Sequence, residues 1–161
     1  MKKLTAKILV AAVLCSCVLS SCGSDFKSQS EYADEYMESI VQCLDNNDAD
    51  ELRKLFSADT RSVNHKLDEE IVAMLDFYEG TSKYYKSTNS IAGGESFRDG
   101  EVVEQHIGNA KYELTSDKQT YTISFAAVTV DTETPQLVGL NRIWLGTDDD
   151  NYVIVDSELG E

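Results

Sequence analysis

The chain is poor in several residue types, and each shortage removes a class of function. A single proline, Pro135, and nine glycines in 161 residues leave no proline-rich linker and no low-complexity segment. The two histidines, His65 and His106, stand apart with no HExxH or Cys/His spacing, so a zinc site has no ligand set to draw on. Basic residues are scarce too: 14 Lys and Arg face 29 Asp and Glu, a formal net charge of −15. Nucleic acid phosphates demand basic surfaces, so nucleic acid is excluded as a partner. There is no glycine-rich phosphate loop and no G-x-S-x-G elbow, and no motif requires a cofactor.

Cysteine is scarce where a fold would use it. Three of the four cysteines lie in VLCSCVLSSCGSD, residues 13–25. Met1-Lys2-Lys3 and Lys7 precede an apolar run from Ile8 to Leu19, the pattern of a secretory signal and too short to span a bilayer comfortably. Cys15-Ser16-Cys17 has the wrong spacing for paired zinc ligands and falls inside the segment to be cleaved. Leu19-Ser20-Ser21-Cys22 resembles the lipobox of bacterial lipoproteins, in which small residues admit the signal peptidase and the cysteine thiol takes a diacylglycerol. The resemblance implies a signal peptide over residues 1–21, then the lipidated Cys22 with a small polar tether over 22–30. Residues 31–161 follow as one α+β domain, large enough for a real core. It also implies a bacterial cell-membrane protein, anchored by fatty acids such as palmitate, with its domain outside the cytoplasm. The leader holds three lysines and no acids, so its removal takes the charge from −15 to −18. Cys43 then remains as a single thiol on an amphipathic helix, where a small buried apolar role is expected.

Periodicity predicts helices first and strands after. Ser28-Gln29-Ser30-Glu31 has the form of a capping box, opening a helix to about Asn46 along Tyr32, Tyr36, Ile40 and Leu44. Asp48-Ala49-Asp50-Glu51 predicts a second box, before Leu52, Leu55 and Phe56. A third helix is expected from Asp68, with Leu67 stapled onto Val72, a stripe of Ile71, Leu75 and Tyr78, and Gly80 as C-cap. From Thr81 the period becomes that of strands. Residues 83–91 read as an edge strand, and Gly93-Gly94 and Asp99-Gly100 as turns. In 102–115 the apolar positions switch from odd (Val103, Ile107) to even (Ala110, Tyr112, Leu114), which predicts a bulge near Gly108-Asn109. Strands are expected over 121–130, 137–145 and 152–155.

Helices followed by hairpin-connected strands give an α+β fold, the helices packed on one face of a curved antiparallel sheet. By analogy the layout resembles the nuclear transport factor 2-like cone, with a cystatin-like sheet as the alternative. ELRKLFS at 51–57, LDFYEG at 75–80, VTVDTETPQLVG at 128–139 and IWL at 143–145 together resemble a family of small bacterial lipoproteins, domain of unknown function 5104. The resemblance implies the nuclear transport factor 2-like fold and a lipid anchor, and it supplies no catalytic residue.

The cone also houses ketosteroid-isomerase-like enzymes, which need a carboxylate in an apolar cavity facing neutral donors. Asp76 lies among apolar residues of the third helix, with Tyr78, Tyr112 and Tyr121 as donors; at the helix edge it would instead meet water. His106 has no orienting partner at useful spacing, and Asp148-Asp149-Asp150-Asn151 lacks the alternation of a calcium loop. Binding therefore ranks above catalysis: a module for a small ligand or an envelope protein, with the ketosteroid-isomerase-like enzyme as the alternative. Its candidate cavity or interface residues are Tyr78, Phe125, Leu140 and Trp144. Along 137–145 the odd positions Leu137, Ile143 and Leu145 and the even positions Val138, Leu140 and Trp144 predict two apolar faces. An uncovered one would be closed by a pocket or by a second copy in a homodimer.

Overall fold

The computed structural model describes residues 27–88, 91–147 and 150–157. The predicted signal peptide, Cys22 and most of the tether lie outside these residues, as do Asp148 and Asp149.

Ser28 caps helix α1 (Gln29–Asn46) as expected. Its hydroxyl accepts from the Glu31 amide, and the Glu31 carboxylate accepts from the Ser28 amide at 2.7 Å. The helix thus takes in Gln29 and Ser30, the last two residues assigned to the tether. Helix α2 (Ala49–Leu55) is capped by Asp48, but the expected reciprocal contact is missing because the Glu51 carboxylate pairs with Lys54. Helix α3 (Ala58–Val63), one short turn opened by Ser57, was not expected. Helix α4 (Leu67–Phe77) begins a residue early, with Leu67 buried in its own first turn. Val72 is half exposed, so no staple joins the two. The helix closes on Tyr78 in extended geometry; Gly80 lies beyond it in the loop at φ +94°, and is not the C-cap.

Six strands form one open antiparallel sheet: β1 (Ser82–Ser87), β2 (Ala92–Arg98), β3 (Glu101–Ser116), β4 (Thr120–Asp131), β5 (Gly139–Gly146) and β6 (Tyr152–Asp156). Their order is β1-β3-β4-β5-β6, with β2 pairing the N-terminal half of β3 beyond the end of β1. Asp99-Gly100 turns β2 into β3 with φ of 54° and 84°, the left-handed pair of a tight hairpin. Gly93-Gly94, expected as a turn, runs inside β2 opposite Ile107 and His106. A Cβ on Gly93 would stand 2.2 Å from the His106 carbonyl oxygen, so glycine serves close backbone approach there. Leu137 ends a 3-10 turn (Pro135–Leu137) and does not open β5.

Two of the sheet's bulges decide which side chains of β3 and β5 enter the core. Ile107 pairs with Ala127 and Ala110 with Phe125, so β3 spends three residues against two at Gly108-Asn109, the predicted site. A second bulge, not predicted, lies in β5: Arg142 pairs with Ala126 and Leu140 with Ala127. It flips parity, so Leu140 points the same way as Ile143 and Leu145. The expectation of two apolar faces on this strand is thereby corrected. The inner face gathers Ile107, Tyr112, Leu114, Tyr121, Ile123, Phe125, Leu140, Ile143, Leu145 and Val155 against Met37, Ile40, Leu52, Phe56, Ile71 and Met74 of the helical side, all nearly fully buried. Each such side chain contributes about 1.5–3 kcal/mol by leaving water.

Candidate functional site

The structure does not bring the four candidate residues together. Phe125 and Leu140 are core residues at 1% and 0% exposure, and Tyr78 is buried at the end of α4. Tyr112 stacks parallel on Phe125 at 6.0 Å and Tyr36 tilts onto it at 6.1 Å, so aromatic rings fill the space around Phe125. The tyrosine hydroxyls are engaged: Tyr78 donates to Asp45 and Tyr112 to Asp34, both at 2.9 Å. Tyr121 accepts from the Glu79 amide at 2.7 Å. Burial, then the carboxylate contact, raises the phenol pKa of both Tyr78 and Tyr112. Asp76 is exposed on α4, as the helix-edge reading has it, and His65 and His106 are exposed as well. Among the described residues no three His, Cys, Asp or Glu side chains gather as a metal site.

Trp144 alone of the four lies on the opposite face of the sheet, where register lines up side chains across four strands. Lys111 of β3, Ser124 of β4, Trp144 of β5 and Ile154 of β6 form one row. Glu113, Thr122, Gly146 and Tyr152 form the next on one side. Ala126, Arg142 and Asp156 form the row on the other. Small residues on β4 thus lie between longer ones on its neighbours. The result is a groove of about 360 Å³ lined by Asn109, Lys111, Thr122, Ser124, Arg142, Trp144, Ile154 and Asp156, within the range of ligand sites. Three facing residues along β4 span about 13 Å.

The indole has a defined seat in it. A Cβ on Gly146 would stand 2.5 Å from Trp144 Cη2 and 2.7 Å from Cζ2, so the ring lies over the bare glycine. Tyr152 stacks beside it at 5.6 Å, which holds the indole along the sheet. The charge differs from that of the whole molecule. Two ion pairs cross this face among the described residues, Lys86–Glu113 at 2.9 Å and Arg142–Asp156 at 3.9 Å. Lys111 has none, so the groove presents an uncompensated cation in a chain of net charge −15. The sequence singled out Trp144 but missed Lys111, Thr122, Ser124 and Arg142. Their convergence depends on the register, which the two bulges set.

A smaller depression of about 270 Å³ runs between α1 and the loop after β4, lined by Tyr32, Glu35, Tyr36, Ser39, Leu55, Thr129 and Val138. Burial, then the neighbouring Tyr32, pushes the Tyr36 phenol up to about 12, so it stays neutral. None of the depression's lining residues is cationic, and the Lys27 ammonium beside Tyr32 is already paired with Glu35 at 2.6 Å.

The chain matches the family described as Domain of unknown function (DUF5104) over residues 39–154, and belongs to it. The match spans α1 to β6, so the family is defined by the helices and sheet together. No curated protein matches the chain.

Proposed function

We propose that the protein is a lipid-anchored envelope lipoprotein, joined to the bacterial membrane through a diacylglycerol on Cys22, whose extracytoplasmic domain is a binding module. The groove along β4 is its binding site. The observation that carries this reading is the grouping of Trp144, Lys111, Arg142 and the small β4 side chains on a sheet face that the helices leave open. The bulges in β3 and β5 support assigning the curved sheet to the nuclear transport factor 2-like cone, its interior filled by Tyr36, Tyr112 and Phe125. The exposure of Asp76 and the engaged tyrosine hydroxyls favour binding over a ketosteroid-isomerase-like enzyme.

Trp144 is the only tryptophan, so its emission reports the groove alone. The full chain in detergent is titrated with separated pools of saccharides, peptides and small acids. The expected result is a saturable change in Trp144 emission with one pool, abolished in Lys111→Glu. An emission that no pool changes overturns the groove as the binding site.

A further inference from the structure

We infer that the ligand of this groove is an acidic saccharide, its ring lying on the Trp144 indole and its carboxylate held by Lys111 and Arg142. The inference rests on the binding-module reading above and adds the chemical class of ligand.

The backbone argues first. β4 pairs with β3 on one side and β5 on the other, so the main-chain groups below the groove are spent in the ladder. An extended peptide gains affinity chiefly by main-chain pairing along a free sheet edge, and this face has none to give. A ligand seated here meets side chains only. Those are two hydroxyls (Thr122, Ser124), an amide (Asn109), a carboxylate (Asp156), two cations (Lys111, Arg142), one indole and one aliphatic chain (Ile154). A sugar ring matches that set, because its hydroxyls donate and accept around the rim while its C–H faces are apolar enough to lie on an aromatic face. The groove is open and about 13 Å long, suited to a short run of rings and not to an enclosed small molecule.

Charge selects among sugars. Arg142 is shared with Asp156 at 3.9 Å, whereas Lys111 across β4 has no counter-ion among the described residues. A carboxylate on the ring supplies it with charge-assisted hydrogen bonds. The surrounding acidity repels a polyanion that does not seat its charge in the groove, so acidity combined with fit is the selection.

The test uses the full chain in detergent with galacturonate trisaccharide, its methyl ester and neutral galactose trisaccharide, followed by Trp144 emission and calorimetry. The expected result is saturable binding of the acid, with the ester and the neutral sugar weaker by about tenfold or more. Lys111→Ala is expected to weaken the acid by a similar factor and so to bring its affinity down toward that of the neutral sugar. Circular dichroism checks that this variant is folded. Equal binding of all three sugars, or an acid affinity unmoved by Lys111→Ala in a folded protein, overturns the acidic-saccharide assignment. If no sugar binds but an acidic peptide changes Trp144 emission, the saccharide class is overturned and the groove stands. If Trp144 answers neither sugar nor peptide, the groove falls with it.

Discussion

Cys43 shows how burial sets the chemistry of one side chain. It faces the core from α1 at 6% exposure, and burial, followed by the charges of Asp48 and Glu51, raises its thiol from 9.0 to about 11. The thiolate is the nucleophile, so Cys43 is inert at neutral pH. We expect alkylating reagents to modify it at pH 7.5 only at the rate at which the chain opens, and immediately in denaturant. Rapid labelling of the native protein would contradict this. The same shift has a pH consequence. An unfolded thiol releases its proton near pH 9 while the folded one holds it to about 11, so the unfolded state binds fewer protons in that window. Stability is then present in full below pH 9 and falls as pH rises through 9–11. The Tyr36 phenol, raised from 10.0 to about 12, extends the loss upward in the same direction. Denaturant melts at pH 8 and pH 10.5 are expected to show the drop, and Cys43→Ala to flatten part of it.

At the scale of elements, the junction of α2 and α3 packs backbone to backbone against β5. Phe56 bridges to Leu140, and the Ser57 amide donates to the Leu140 carbonyl at 2.9 Å. Gly139 makes that approach possible. Its φ is +136°, and a Cβ there would stand 2.5 Å from the Ser57 nitrogen and 2.7 Å from its Cα, both backbone atoms that cannot swing aside. Gly139→Ala is expected to cost about 2–4 kcal/mol from strain and displaced packing, measured by chemical denaturation. Ser28→Ala removes one cap and is expected to cost only about 1 kcal/mol. The contrast also shows what the sequence makes legible. Local signals are readable: the Ser28 box, the α1 stripe, the Asp99-Gly100 turn and the parity switch at Gly108-Asn109 all appear in the structure. Features fixed by distant partners are not. Gly93-Gly94 reads as a turn because its reason, the backbone of β3, lies more than ten residues away. The β5 bulge breaks no apolar alternation, since Leu137 to Leu145 is apolar at both parities, so Leu140 could not be assigned to a face. For the same reason Trp144 was visible as unusual while Lys111, its partner across β4, was not.

At the scale of the molecule, charge and anchor act against each other. No described helix is long and apolar enough to cross a membrane; in the proposed lipoprotein, Cys22 supplies the attachment. Lys27 is already tied to the domain, its carbonyl accepting from the Gln105 side-chain Nε2 at 3.3 Å. The five residues from Cys22 to Lys27 reach about 18 Å at most, so a lipid on Cys22 would keep the domain within about two Debye lengths of the bilayer at physiological salt. With the proposed leader removed, a charge of −18 at that distance would repel an anionic surface and keep the domain from lying down on it. We expect fatty-acid labelling in cells to mark the wild-type protein and to miss Cys22→Ala, which should accumulate as an uncleaved precursor. Wild-type protein is expected to stay with the membrane fraction in high salt, because lipid and not charge retains it. Label retained on Cys22→Ala, or release of the wild type by salt alone, would rule out the anchor and leave the binding groove to be explained without a membrane beside it.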